Sequence, residues 1–172
     1  MPFTPLHLGP GLAIKLVLRD RFSVVVFAGA QVAMDVEPLV RMLRGDAVVH
    51  GPSHTYLGAL LVGVASMLIG KVAYGPIART WNARAAPALP TAVGWAAAGS
   101  GAFLGTTSHV LLDSLMHGDM QPFAPLTDAN TLLLAISIES LHLLCIGLGA
   151  VGAVGLLTLA TRRERRSRAQ TR

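Results

Sequence analysis

Three apolar stretches, residues 55–74, 92–116 and 131–160, dominate this sequence of 172 residues. Each is long enough to cross a bilayer, for which about 20 predominantly apolar residues are needed. Two shorter stretches precede them, residues 6–18 and 22–34, separated by the charged turn Arg19, Asp20, Arg21. At about 1.5 Å per residue each covers roughly 20 Å, so they read as a short helical hairpin or a pair of thin spans. The expected architecture is all-α: a polytopic membrane bundle of about five helices, the first two short. Residues 1–161 would form a single transmembrane domain, and residues 162–172 a basic, disordered cytoplasmic tail.

Composition supports this reading. Hydrophobic residues make up 52% of the chain and charged residues only 13%, about half the charged share of an average globular domain. So little charge cannot cover a soluble surface. The net charge of +5 does not point to nucleic acid, because six of the fourteen basic residues fall in the last eleven positions, the rest form no stripe, and only 5% of the chain is aromatic. Cys145 is the single cysteine, so no intrachain disulfide can form and the redox compartment is left open. The N-terminus carries no basic leader, and Lys15 and Arg19 interrupt the first apolar stretch. Insertion is therefore expected to depend on the spans themselves. Residues 74–91, rich in Pro, Ala and Arg, read as a loop, and residues 36–45 as a short interfacial helix after Pro38. Gly99, Gly101 and Gly105, and the Gly-rich stretch 147–155, suit close helix packing by small residues.

Basic residues orient the bundle, since cytoplasmic loops carry the excess of Lys and Arg. With the C-terminal tail inside, alternation of the spans puts twelve of the fourteen basic residues inside and leaves Arg41 and Arg44 outside. The same arrangement sends Asp35, Glu37, His50, His54, His117, Asp119 and Asp128 to the outer face, with His7 at the outer end of the first helix. The expected location is a prokaryotic plasma (inner) membrane with a cytoplasmic C-terminus.

The residues able to carry chemistry lie at that outer face. Ser108-His109-x-x-x-Asp113-x-x-x-His117 closes an apolar span, and positions four apart share a helix face, so His109 and Asp113 can reach one ion with His117 a turn nearer the surface. Ionisable groups inside a membrane segment are costly and usually functional; the plain alternative is a His–Asp hydrogen bond that stabilises the bundle. His50-Gly-Pro-Ser-His54-Thr55 precedes the third span, where a loop would aim both rings and Ser53 would serve as N-cap. Gln31-x-x-x-Asp35-x-Glu37-Pro38 leaves the second helix and offers two carboxylates beside a helix-ending proline. His7, with Gly11 four residues on, adds a further imidazole. Glu139 and His142, three apart on the last helix, read as partners inside the bundle or as groups that hold a ligand. Histidines and carboxylates without clustered cysteines suit a divalent metal, zinc first, as one or two ions.

At these residues the sequence resembles the YdjM-type family of membrane-bound metal-dependent hydrolases. The likeness covers roughly residues 2–127: His7 and Gly11, the acidic pair Asp35 and Glu37, the block from His50 to Thr55, then His109 and Asp113 followed by Gln121-Pro122-Phe123. The His-x-x-x-Asp element is also similar to one in zinc-dependent phospholipase C, which makes phosphoester hydrolysis the analogy. Two departures stand out. The family's Pro-Asp-x-Asp is here Met34-Asp35-Val36-Glu37, and the arginine common after the first histidine of the third block is replaced by Gly51. The resemblance implies metal ligands at His7, Asp35, Glu37, His50, His54, His109 and Asp113. His117 and Glu37 are the candidates for catalysis, with His117 as general acid. A lipid or lipid-linked phosphoester is the expected substrate, since it could enter an embedded site sideways from the bilayer. The competing expectations are a metal-binding transporter or sensor using the same residues, and a non-catalytic membrane scaffold.

Overall fold

The computed structural model describes residues 5–84 and 89–170, and all regular structure in them is helical. Five α-helices follow in order: α1 (Gly9–Leu18), α2 (Val24–Arg44), α3 (Tyr56–Asn82), α4 (Trp95–Met116) and α5 (Ile138–Gln170). Short 3-10 turns precede α1 (Pro5–Leu8), join α1 to α2 (Arg19–Arg21) and lead into α3 (Pro52–His54).

Local chemistry explains where these helices start and stop. The Ser23 hydroxyl caps α2 by accepting from Val26 N–H at 3.3 Å, and Thr55 caps α3 by accepting from Gly58 N–H at 2.9 Å. Thr55, not Ser53, is thus the cap of the third helix. At the α1–α2 turn the Lys15 ammonium donates to the carbonyls of Arg19 and Phe22, at 2.7 and 2.9 Å, occupying acceptors that the ended helix leaves open.

Several boundaries differ from the sequence reading. Pro38 lies inside α2, so residues 36–45 continue that helix and form no separate one. A mid-helix proline forfeits one hydrogen bond, at a cost of about 3 kcal/mol. Here its ring is fully buried and the Glu37–Arg41 pair, 2.9 Å apart, spans the same turn. The helix stops instead at Gly45, whose left-handed backbone (φ 76°) turns its N–H back onto the carbonyls of Arg41 and Met42. Likewise α3 runs through Pro76 to Asn82, eight residues beyond the expected loop start, and the Asn82 amide brackets the backbone of Leu89 with two hydrogen bonds. The last helix begins at Ile138, seven residues later than expected, and continues to Gln170 across the basic tail; residues 85–88 of the linker lie outside the described residues.

The core is built around α4, which packs on both α2 and α3. Gly101 and Gly105 let α4 close on α2. A Cβ at Gly101 would sit 2.6 Å from the Ser23 carbonyl oxygen, and one at Gly105 would sit 2.9 Å from Ala30 Cβ. The Ser23 N–H even donates across to the Ala97 carbonyl at 3.1 Å. In contrast α5 leans chiefly on α1, where Gly149 and Gly152 admit the α1 backbone around Gly9 and Leu12. The expected close-packing role is thus visible at Gly101, Gly105, Gly149 and Gly152, but not at Gly99, where a Cβ would meet only Met67 Sδ at 3.4 Å, nor at Gly147, which has open space.

Among the described residues two helices, Tyr56–Asn82 and Ile138–Gln170, are long and apolar enough to cross a membrane; α4, within the expected span 92–116, is not among them. Only 17% and 11% of their most apolar windows are buried within the bundle. Leu61, Ile69, Val72, Leu143, Val154 and Leu157 accordingly face outward. The core helix of a water-soluble protein would hide such a surface.

Candidate metal centre

On α4, His109 and Asp113 lie four residues apart on the same face, and His117, four residues on, is the C-cap just past the helix end, its backbone already extended. Asp113 lies at the centre of what gathers there. Its carboxylate oxygens stand 3.1 Å from His109 Nε2, 3.5 Å from His54 Nε2, 3.8 Å from His7 Nε2, and 3.9 Å from the Nε2 atoms of His50 and His117. Five of the six histidines in the chain therefore converge on one carboxylate. His7 arrives on the turn before α1, His50 and His54 from the segment before α3, and Asp35 from α2, with its Oδ1 3.5 Å from His109 Nε2. His7, Asp35, His54, His109 and Asp113 are all buried.

A ring of polar partners behind the imidazoles fixes which nitrogen faces inward. His109 Nδ1 lies 2.6 Å from Gln31 Oε1, while the Gln31 amide nitrogen donates to the His7 carbonyl and the Ser108 hydroxyl. That orientation of the amide makes Nδ1 the protonated nitrogen of His109. His50 Nδ1 lies 2.8 Å from Asp119 Oδ1, an acceptor only, so it too carries its proton there. His54 Nδ1 is 3.0 Å from the Ser53 hydroxyl, which itself donates in a short hydrogen bond to Glu37 and is left to accept from the ring. In all three rings the unprotonated Nε2, a lone pair, is directed at Asp113.

Lone pairs facing a carboxylate repel unless a cation lies between them. His7 Nδ1 and Nε2, His54 Nε2 and His109 Nε2 are buried with no hydrogen-bond partner among the described residues. Each such orphan costs about 1–3 kcal/mol. With bonds of 2.0–2.1 Å, ligand atoms around a tetrahedral zinc ion are separated by about 3.4 Å. The 3.1–3.9 Å separations here bracket that value, and most exceed hydrogen-bond length. Two ligand groups result, His7–His109–Asp113 and His50–His54–Asp113, sharing Asp113; a third, His50–His117–Asp119, lies toward the surface. These buried clusters of histidine and aspartate can hold a metal ion. The donors outnumber the four that one tetrahedral ion takes.

Of the residues singled out in the sequence, His7, Asp35, His50, His54, His109 and Asp113 come together and His117 joins them at the rim, its side chain 26% exposed. Glu37 does not. Successive helical residues turn by about 100°, so Asp35 and Glu37 on the unbroken α2 point some 200° apart. The Glu37 carboxylate is engaged by the Ser53 N–H and hydroxyl and by Arg41 instead. Glu139 is exposed on the first turn of α5 and His142 is half-buried beyond it; neither enters a ligand group.

Three residues gain roles that the sequence reading had not assigned: Gln31, Ser53 and Asp119. Gln31 carried a usable signal, since it lies one helical turn before Asp35 on the same face. Asp119 follows α4 in a loop and accepts from the backbone N–H groups of Val49 and His50 at 2.9 and 3.1 Å. Partial burial opposes its ionisation, but the bonds from the His50 ring and from these two N–H groups win and hold it down at about 2. A loop carboxylate 69 residues from the imidazole it orients leaves no local pattern to read.

No family model, no curated protein and no solved structure matches this chain.

Proposed function

We propose that this chain is a membrane-embedded, metal-dependent hydrolase whose two-ion centre, with zinc as the expected metal, lies at the outer end of the bundle. The observation that carries the reading is the convergence of Nε2 lone pairs from tautomer-fixed histidines on one buried carboxylate. Resemblance to the YdjM-type hydrolases, in the order His7, Asp35, His50–His54 and His109–Asp113, supports the same assignment. The outward apolar faces of α3 and α5 fit lipid as their surroundings. The skew of basic residues favours a cytoplasmic C-terminus in a prokaryotic inner membrane.

His7, His109 and Asp113, completed by Asp35, would hold one ion, and His50, His54 and Asp113 the other. Such ions act as Lewis acids and bring the pKa of a coordinated water toward neutrality. The remaining work falls to side chains. Gln31, Asp119 and Ser53 keep three imidazoles in the ligating tautomer, as carboxylates and amides behind metal-bound histidines do. Glu37 acts through Ser53 and is a positioning residue. His117 stacks on His50, with ring centroids 4.5 Å apart, at the accessible rim of the cluster. It is the group able to give a proton to a leaving group.

A transporter would need its polar path to continue to the other end of the bundle. There the described residues pack as an apolar core of Val26, Tyr74, Ala78, Ala98 and Ala102, which favours a one-sided site. The test is metal analysis of the purified full chain together with hydrolysis of phosphomonoester, phosphodiester and carboxylester probes. The reading expects one to two zinc ions per chain and turnover that a chelator abolishes. Metal without turnover, together with ion flux into liposomes, would sink the hydrolase in favour of the transporter.

A further inference from the structure

A groove of about 560 Å³ opens beside the cluster, between the first turns of α3, residues 48–53 and residues 121–125. Its volume suits a small organic ligand. One wall is Leu57, Leu61 and Val62 of α3, and Leu57 and Leu61 are 55% and 68% exposed on the outward face of a helix apolar enough to cross a membrane. The groove is thus open on the side where lipid tails would lie. Its lining also includes the polar side chains of Arg41, His50, Ser53, Thr55 and Gln121. Arg41 lines the groove; its Nε donates to Glu37 at 2.9 Å and its Nη1 to the Val48 carbonyl at 3.5 Å, which leaves further N–H donors of the five on the guanidinium. No acidic side chain lines it among the described residues. His50 belongs to both structures: it walls the groove, and its Nε2 stands 3.9 Å from Asp113.

An apolar trough that also carries a guanidinium and a ligand histidine matches a molecule with a hydrocarbon chain and an anionic head. We infer that the centre acts on a membrane lipid of this kind, an acyl-chain phosphoester whose chain lies along Leu57, Leu61 and Val62 and whose phosphate meets Arg41, beside the ligand His50. This inference rests on the metal-hydrolase reading above. In the reaction the oxygen of water forms a bond to phosphorus and gives up one proton to solvent, the bond from phosphorus to the lipid oxygen breaks, and that oxygen takes a proton from His117, which is reprotonated from solvent.

Equilibrium binding to the zinc-loaded full chain in nanodiscs of zwitterionic lipid tests it. Three probes separate the parts: lysophosphatidic acid carries chain and phosphate, glycerol 3-phosphate the head alone, and monoacylglycerol the chain alone. Lysophosphatidic acid should bind at least about tenfold more tightly than either partial probe. The exposed Leu61→Trp substitution, which fills the trough, should weaken it about tenfold while zinc content stays unchanged. Arg41→Gln should weaken the phosphate-bearing probe more than the neutral one. Equal binding of lysophosphatidic acid and glycerol 3-phosphate, or no effect of Leu61→Trp, overturns the groove. Zinc content and turnover are read on the same samples. Tight lipid binding without zinc or hydrolysis would leave the groove standing and remove the hydrolase, whereas zinc and turnover of soluble esters without lipid binding would do the reverse.

Discussion

The two ends of the α2–α4 pair use the same helices for opposite purposes. Toward the start of both helices the contact is made by Ser23, Val26 and Phe27 against Ala97, Gly101 and Ala102, side chains small enough to bring the backbones together. The polar groups there are partnered: Ser100 donates to the Arg21 carbonyl, and Lys71 donates to Val93 O and lies over the Trp95 ring. Three turns further along, the same two helices present Gln31, Asp35, His109 and Asp113, and buried imidazole nitrogens are left without partners. Packing satisfied at one end and polar groups unsatisfied at the other imply that the second end is shaped for a ligand, since native cores seldom tolerate orphaned polar atoms. Close packing marks the glycine end, and unpartnered ligand atoms the histidine end.

That division can be broken most forcefully at Asp113. Asp113→Ala removes the carboxylate shared by both ligand groups, and metal content measured by elemental analysis should fall from at least one ion per chain to below about a tenth. The helical circular dichroism should persist. At the other end Gly101→Leu should do the converse. Its added atoms meet the Ser23 carbonyl, which cannot swing away, so overpacking of about 1–3 kcal/mol or more is expected as a lower thermal midpoint. Any loss of metal should then track the loss of fold.

Smaller changes sharpen the contrast. Gln31→Leu, Ser53→Ala and Asp119→Asn each leave the ligands in place but release the tautomer or the aim of one ring. Zinc affinity in competition with a chelator should drop about 10–100-fold for each. Lowering the pH should strip metal without melting the bundle. Ligation needs unprotonated imidazoles, whose unperturbed pKa is about 6.5, so zinc should be lost progressively as the pH falls below about 6. Least of all, Ser23→Ala should cost about 1 kcal/mol of stability through the lost cap and leave zinc affinity where it was.

Much of this contrast was legible in the residue order. Apolar runs announced five helices, and the four-residue spacing of His109, Asp113 and His117 announced that these three side chains would converge, because helical periodicity is local information. What failed were inferences that hung on a single residue. Pro38 carries the signature of a stop, which would let Asp35 and Glu37 point together; the helix runs through it, and the roughly 200° turn between them sends Asp35 toward the histidines and Glu37 to Ser53 and Arg41. The expected loop after Tyr74 failed for the same reason, since Pro76 is carried inside α3. Pairings across the fold, such as Asp119 with His50 and Gln31 with His109, are set by how helices dock, which no local pattern encodes.

X-ray absorption at the zinc edge of the zinc-loaded full chain probes the proposed centre itself. The expected spectrum has nitrogen and oxygen ligands only, at about 2.0–2.1 Å, with the outer-shell scattering of several imidazoles, and it loses imidazole character in His109→Ala. A zinc ion surrounded by water oxygens alone, or one indifferent to His109, would contradict a histidine-held metal at Asp113.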